Sequence, residues 1–168
     1  MKTNILFVFL AIVFFVGCQP KVQDKPDKPV DLASVKDSIS LIMDNYFKAI
    51  NTKDLEAYSS LLADDGLFCG TDPDEFWSKN EVVDLMKQQF ADTSFNWNIS
   101  PDKQEIKVSP NGMSAIIVNQ YLVTQLSPKI PMREITYINK AENKWLISFT
   151  GYNFITENEN VDKLNQAL

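Results

Sequence analysis

Residues 113–125, MSAIIVNQYLVTQ, decide the fold class of this chain. They are rich in β-branched residues and follow the sequence Ser-Pro-Asn-Gly at residues 109–112, which is typical of a tight hairpin turn. Two more segments of this kind follow at residues 133–139 and 144–154, each after a short turn sequence. Consecutive strands joined by short turns predict an antiparallel sheet in the C-terminal half of the chain.

Apolar residues occupy both faces of the predicted strands, as the consecutive Ile116, Ile117 and Val118 illustrate. A sheet with two apolar faces is normally covered on both sides. We expect helices to cover one face and a second copy of the chain to cover the other, which predicts a homodimer through the sheet.

Upstream of residue 94 the apolar residues recur at helical spacing. Ser34 is the predicted cap of a first helix, and Thr52 the cap of a second helix that ends at an Asp-Asp-Gly turn at residues 64–66. A Ser-x-x-Glu capping box at residues 78–81 begins a third helix. Alternation of Phe95, Trp97 and Ile99 then predicts the first strand, so the fold class is α+β, with three helices followed by an antiparallel meander.

Three segments resemble the SnoaL-like branch of the nuclear transport factor 2-like (NTF2-like) superfamily: GTDPDEFW at residues 70–77, REITY at 133–137 and KWLI at 144–147. The resemblance covers residues 34 to about 155. It implies a cone-shaped domain in which three N-terminal helices pack on a curved antiparallel β-sheet around a pocket. The superfamily includes ketosteroid isomerase, scytalone dehydratase, polyketide cyclases and noncatalytic binding domains, so the resemblance implies a fold and no single function.

The N-terminus has the layout of an export signal, with Lys2 followed by the apolar run ILFVFLAIVFFV at residues 5–16. As a helix this run would be about 18 Å long, too short for a hydrocarbon core of about 30 Å. Phe-Val-Gly-Cys at residues 15–18 resembles the bacterial lipobox, which implies a lipid on Cys18. We therefore expect a signal peptide at residues 1–17, a lipidated tether at 18–33 and a domain at 34–168, held at the bacterial cell envelope, in the periplasm or on the cell surface.

The domain is acidic, which excludes some classes of partner. The chain has a net charge of −6, and its first thirty residues contain four lysines and two aspartates, so the remaining residues have a net charge of −8. Such a domain repels phosphate backbones and anionic headgroups. We expect no nucleic-acid partner, and contact with a membrane only through the N-terminal lipid.

The chain contains no histidine, the side chain best suited to acid–base work near neutral pH. Ketosteroid-isomerase chemistry needs only a carboxylate and hydroxyl donors. However, the central strand offers no ionisable group except Tyr121, and Glu105 and Glu134 are predicted to face solvent. We therefore predict no catalytic residue and no cofactor. The alternative is an isomerase- or cyclase-type enzyme that uses Tyr121 with Asp72 or Glu75.

Aromatic side chains are the candidate walls of a pocket, because small-molecule sites are mostly apolar with few polar groups. Arg133, the only arginine, could bind a carboxylate or form a salt bridge at the rim with Glu134 or Glu105. Phe68 and Trp145 are two further aromatics that could line the pocket, although most of these rings could instead belong to the core. The candidate ligand-binding residues are Tyr46, Trp77, Trp97, Tyr121, Arg133 and Phe149.

Asp72, Asp74 and Glu75 could bind a hard cation, but their Asp-Pro-Asp-Glu sequence suits a turn into the third helix, and we predict no metal site. With Cys18 acylated, Cys69 is the only remaining thiol and is predicted to be a small buried hydrophobe. The leading hypothesis is a noncatalytic domain that binds a small apolar or weakly anionic ligand. A third possibility is a protein-interaction module with a filled cone, which binds through its sheet or its C-terminal residues 161–168.

Overall fold

A computed structural model describes residues 29–167. The predicted signal peptide, Cys18 and most of the predicted tether lie outside the described residues. The helices are α1 (Leu32–Asn51), α2 (Leu55–Ser60), α3 (Lys79–Ala91) and α4 (Val161–Ala167), with a 3₁₀ turn at Asn158–Asn160. The strands are β1 (Leu62–Cys69), β2 (Phe76–Trp77), β3 (Lys103–Val108), β4 (Ser114–Tyr121), β5 (Met132–Ala141) and β6 (Lys144–Phe154).

The six strands form one sheet in the order β2-β1-β6-β5-β4-β3. All neighbours are antiparallel except β1 and β6, which are parallel. The turn at residues 109–112 joins β3 to β4 as predicted, with the Gly112 N–H donating to the Ser109 carbonyl at 2.9 Å. The predicted α+β class, with helices packed on the sheet, is confirmed.

The first helix begins at Leu32, earlier than predicted. The Asp31 carboxylate caps it by accepting the N–H groups of Ala33 and Ser34 at 3.1 and 3.2 Å. Ser34 therefore lies inside the first turn and does not cap the helix. The predicted apolar stripe is largely confirmed, since Ile39, Met43, Tyr46 and Ile50 are buried against the sheet.

The second helix is shorter than predicted, because Asp54 caps it in place of Thr52 and it ends at Ser60. The sequence at residues 64–66 is not a turn and belongs to β1. A Cβ atom on Gly66 would lie 2.6 Å from the ring of Phe68, so the glycine makes room for a buried aromatic within an irregular strand.

The strand predicted at Phe95, Trp97 and Ile99 is absent, and residues 93–102 contain no regular element. The side chain of Asn51, at the end of α1, takes the place of a neighbouring strand. Its amide nitrogen donates to the Ile99 carbonyl at 2.8 Å, and its oxygen accepts the Ile99 N–H at 2.7 Å. This pairing fixes the segment and holds Trp97 beside α3.

The third helix begins at the predicted capping box, in which Glu81 accepts the Ser78 N–H at 2.8 Å and the Glu81 N–H points back to the Ser78 hydroxyl. The C-terminal α4 buries none of its side chains. Among residues 29–167, every helix is too short or too polar to cross a bilayer.

Candidate functional site

A cavity of about 220 Å³ lies between the helices and the inner face of the sheet. Six aromatic rings line it, from α1, α2, β2, β4, β6 and the irregular segment before β3, and four of the six belong to tyrosines. The cone is therefore not filled by its own side chains, which a pure interaction module would require. The aromatic lining consists of Tyr46, Tyr58, Trp77, Trp97, Tyr121 and Tyr152.

The rest of the wall is mainly aliphatic, with polar groups confined to the mouth and one side. Gly70, Thr71, Glu75 and Gln89 supply the polar portion. No lysine or arginine of the described chain lines the cavity. The aliphatic lining consists of Ile50, Val82, Leu85, Met86, Ile99, Leu126 and Met132.

The tyrosine hydroxyls meet on the sheet side of the cavity. Those of Tyr46 on α1 and Tyr152 on β6 share a hydrogen bond of 2.7 Å, and the ring of Tyr46 stacks on that of Tyr58 with centroids 5.5 Å apart. Burial raises the pKa of Tyr46, Tyr121 and Tyr152 well above the ordinary value. These phenols stay protonated at physiological pH, so they act as neutral hydrogen-bonding groups.

Glu134 lies behind this tyrosine wall and is fully buried. Its carboxyl group accepts the Tyr121 hydroxyl at 3.1 Å and the Thr136 hydroxyl at 2.8 Å. Burial raises the pKa of Glu134 to about 7, although the two hydrogen bonds oppose the increase. The prediction that Glu134 faces solvent is wrong.

The error concerns which face of β5 points toward the core. Met132, Glu134, Thr136 and Ile138 point inward and are buried, whereas Arg133 and its neighbours at alternate positions are exposed. Because both sets contain apolar residues, alternation alone could not show which set faces the core.

Four of the six candidate ligand-binding residues line the cavity: Tyr46, Trp77, Trp97 and Tyr121. Arg133 and Phe149 do not. Arg133 is exposed on the outer face of β5, and Phe149 pairs with the outward-facing Tyr137 across β5 and β6. The prediction that these two residues line the pocket is wrong, and a carboxylate clamp by Arg133 inside the cavity is excluded.

Phe68 and Trp145, which could have lined the pocket by residue type, are buried core residues that do not line it. Cys69 is only half-buried, and burial raises the pKa of its thiol. Sequence reasoning missed Tyr58, Tyr152 and Glu134. Tyr58 lies within the predicted second helix, but no sequence pattern indicates that its ring faces a cavity.

The mouth of the cavity is formed by the loop between β1 and β2. Asp72 is exposed, whereas Glu75 turns back so that its carboxylate accepts the Asp72 N–H at 2.9 Å. A Cβ atom on Gly70 would overlap the Glu75 carboxylate and lie 2.7 Å from the Trp77 ring, so this glycine allows both side chains to close over the mouth. The described residues contain no group of three or more His, Cys, Asp or Glu side chains placed to hold a metal ion.

Two buried polar atoms on the cavity wall have no hydrogen-bond partner within the described chain: the Gln89 side-chain oxygen and the Trp97 indole nitrogen. Three more such atoms belong to residues that do not line the cavity: the Asn119 amide nitrogen, the Asn139 side-chain oxygen and the Ser148 hydroxyl. Unsatisfied buried polar groups are rare in folded proteins, so a polar group on a ligand would supply the partner that the Gln89 and Trp97 atoms lack.

A cone of helices and sheet around an aromatic cavity defines an NTF2-like domain. A protein-family model described as the SnoaL-like domain matches residues 39–148, and the chain belongs to this family. The predicted superfamily and branch are thus confirmed. No curated protein matches the sequence at a significant level.

Solved structures with the same fold come from several bacteria. An NTF2-like protein of unknown function from Pseudomonas putida is similar with a TM-score of 0.63 and 11% identity, over 76% of this chain and 92% of that one. An NTF2-like protein from Cytophaga hutchinsonii is similar with a TM-score of 0.59 and 15% identity, over 71% of this chain and 98% of that one. A structure described as a putative calcium/calmodulin dependent protein kinase II association domain, from Xanthomonas campestris, has a TM-score of 0.55 and 16% identity. The similarity covers 71% of this chain and 87% of that one. At these identities the similarity establishes the fold alone.

Proposed function

We propose that this domain binds a small, predominantly apolar ligand in the cavity and does not transform it. The observation that supports binding most is the lining itself, six aromatic rings and seven aliphatic side chains around about 220 Å³. A cavity of about 150 Å³ accommodates benzene, so by proportion this one suits a ligand of about nine non-hydrogen atoms. A weakly anionic ligand is disfavoured, because Arg133 lies outside and the nearest carboxyl groups belong to Glu75 and Glu134.

The position of Glu134 favours binding over catalysis. Its carboxyl group does not line the cavity, and the Tyr121 hydroxyl that donates to it belongs to the wall. A general base must come within hydrogen-bond reach of the proton it removes. A ligand in this cavity meets Tyr121 before it meets the carboxylate.

Acid–base catalysis is a second candidate, favoured by one observation of the structure. Glu134 has a pKa of about 7 and contacts Tyr121, which is the property of a carboxyl group able to exchange protons near neutral pH. Of the two carboxylates that the sequence pairs with Tyr121, Asp72 is exposed and does not line the cavity, whereas Glu75 lines it. Turnover of a carbonyl substrate that disappears in Glu134→Gln would establish this function instead.

We also propose that the domain is tethered at the cell envelope by a lipid on Cys18. The apolar run, the resemblance to the lipobox and the proline-containing segment after it support this. A mature N-terminus at an acylated Cys18, and release of Cys18→Ala from the membrane fraction, are the expected results. An uncleaved N-terminus would contradict the tether.

The outer face of the sheet supports the proposed homodimer. Leu67, Phe149, Tyr137 and Ile116 are cross-strand neighbours in one apolar row, in which Leu67 and Ile116 are more than two-fifths exposed. The flanking positions on β3 and β5 include lysines and Arg133, which lessen the repulsion between two acidic copies.

The binding proposal is tested by native mass spectrometry of the full-length protein, released gently from a maltoside detergent. Leu85 lines the cavity, whereas Leu41 is an exposed residue of α1. We expect a discrete small-molecule adduct, or thermal stabilisation by small apolar probes, in the unmodified protein and in the control Leu41→Trp but not in Leu85→Trp. Circular dichroism verifies that both variants fold. Binding that survives Leu85→Trp, or its absence from all three proteins, would overturn the proposal.

A further inference from the structure

The cavity has the composition of an aromatic cage. Tyr46, Tyr58, Tyr121 and Tyr152 come from four different elements and converge with two tryptophan rings on one space. The faces of aromatic rings are electron-rich and attract cations that lie within about 6 Å of the ring centre. No lysine or arginine in the described part of the chain lines this space to compete with such a ligand.

Two carboxyl groups, one in the wall and one behind it, add negative potential at the cavity. Glu75 lines the mouth. Glu134 lies behind the tyrosine wall, where its carboxyl group accepts the hydroxyl of the wall residue Tyr121. Buried carboxylates are normally paired with a basic group. Within residues 29–167 the only ion pair joins Lys79 to Asp64, so Glu134 has hydroxyl partners but no cationic one.

We propose that the ligand of this cavity is a small organic cation of the alkylammonium class, with Glu134 as its counter-charge. The inference rests on the proposed function, because it assigns the charge of the ligand in that same cavity. An alkylammonium ion combines the apolar surface that the aliphatic walls require with the positive charge that the rings and carboxylates attract. A bare metal ion would lack oxygen ligands on the mostly apolar wall.

Cation binding is linked to the protonation of Glu134. The titratable groups packed around it are Tyr121 on β4, Tyr46 on α1, Tyr152 on β6 and Tyr58 on α2. All four phenols remain protonated near neutral pH because burial raises their pKa values. A cation in the cavity favours the ionised form of Glu134, so its affinity rises as the pH increases from about 6 to 8.

The test compares choline with 3,3-dimethylbutan-1-ol, in which carbon replaces the quaternary nitrogen. The two molecules have the same shape and fit the cavity, so any difference in affinity reports the charge alone. Calorimetric titration of the full-length protein in maltoside is expected to show choline binding about tenfold more tightly at pH 8. Only the affinity for choline should fall when the pH is lowered to 6.

Glu134→Gln keeps the shape of the side chain and removes its charge, and Glu105→Gln makes the same change on an exposed outward-facing position of β3. We expect the advantage of choline to fall about fivefold in Glu134→Gln and to stay unchanged in Glu105→Gln. If Glu134→Gln does not fold, the pH dependence of choline binding to the unmodified protein tests the inference. Equal or tighter binding of the neutral alcohol, or no binding of choline, overturns the inference. In that case binding of the alcohol or an adduct lost in Leu85→Trp still supports the proposed function.

Discussion

Glu134 is expected to make the domain less stable as the pH rises through the neutral range. Its pKa is 4.5 in an ordinary environment and about 7 in the folded chain, so the folded state holds a proton that the unfolded state has released. The stability associated with this proton is fully present below about pH 4.5 and is lost as the pH rises through about 7. At 1.36 kcal/mol per pH unit, the total loss is about 3 kcal/mol.

The assay is urea unfolding of the unmodified protein and of Glu134→Gln at a series of pH values from about 4.5 to 8. Glutamine cannot titrate, and the other carboxylates titrate equally in both proteins, so their contributions cancel in the difference. We expect the free energy of unfolding of the unmodified protein to fall by about 3 kcal/mol relative to that of Glu134→Gln across this range. A difference that does not change with pH would show that Glu134 ionises normally, and would refute the argument for its burial.

Three further substitutions test other parts of the structure. Asn51→Ala removes the two hydrogen bonds that anchor the irregular segment and should lower the free energy of unfolding in urea by about 2 kcal/mol. The control Asn45→Ala, at an exposed position, should have little effect. Equal losses of unfolding free energy in the two variants would contradict this. Gly70→Ala should displace the carboxylate and indole at the mouth, weakening ligand binding in calorimetry with a stability loss of about 1 kcal/mol. Unchanged binding would refute that role. Tyr137→Lys should convert a dimer to a monomer in light scattering, and a persistent dimer would exclude the outer sheet face as the interface.

Local signals predicted much of the fold. The capping box at Ser78, the hairpin turn at residues 109–112 and the apolar stripe of α1 each have a cause within a few residues of sequence, and each is confirmed. The secondary-structure predictions failed where contact with a residue distant in the sequence holds the segment. Asn51 pairs with the backbone of Ile99, 48 residues away, within the segment for which local alternation predicts a strand.

The candidate site was partly predictable for the same reason. Aromatic residue type indicated Tyr46, Trp77, Trp97 and Tyr121 correctly as cavity-lining residues, since large rings favour interiors. The inward or outward direction of β5 depends on which face of the sheet the helices cover, and this is a tertiary property. Glu134 was therefore placed outside and Arg133 was considered for the inside, the reverse of their positions.

The most direct test of the central claim uses the three tryptophans as reporters within one molecule. Trp77 and Trp97 line the cavity, whereas Trp145 lies in the core away from it. The indole N–H signals of ¹⁵N-labelled protein are followed by NMR while choline and, separately, 3,3-dimethylbutan-1-ol are added. A ligand-binding cavity predicts that the signals of Trp77 and Trp97 shift in a saturable manner while that of Trp145 stays in place. If neither compound moves the first two signals more than the third, the cavity is not the binding site that we propose.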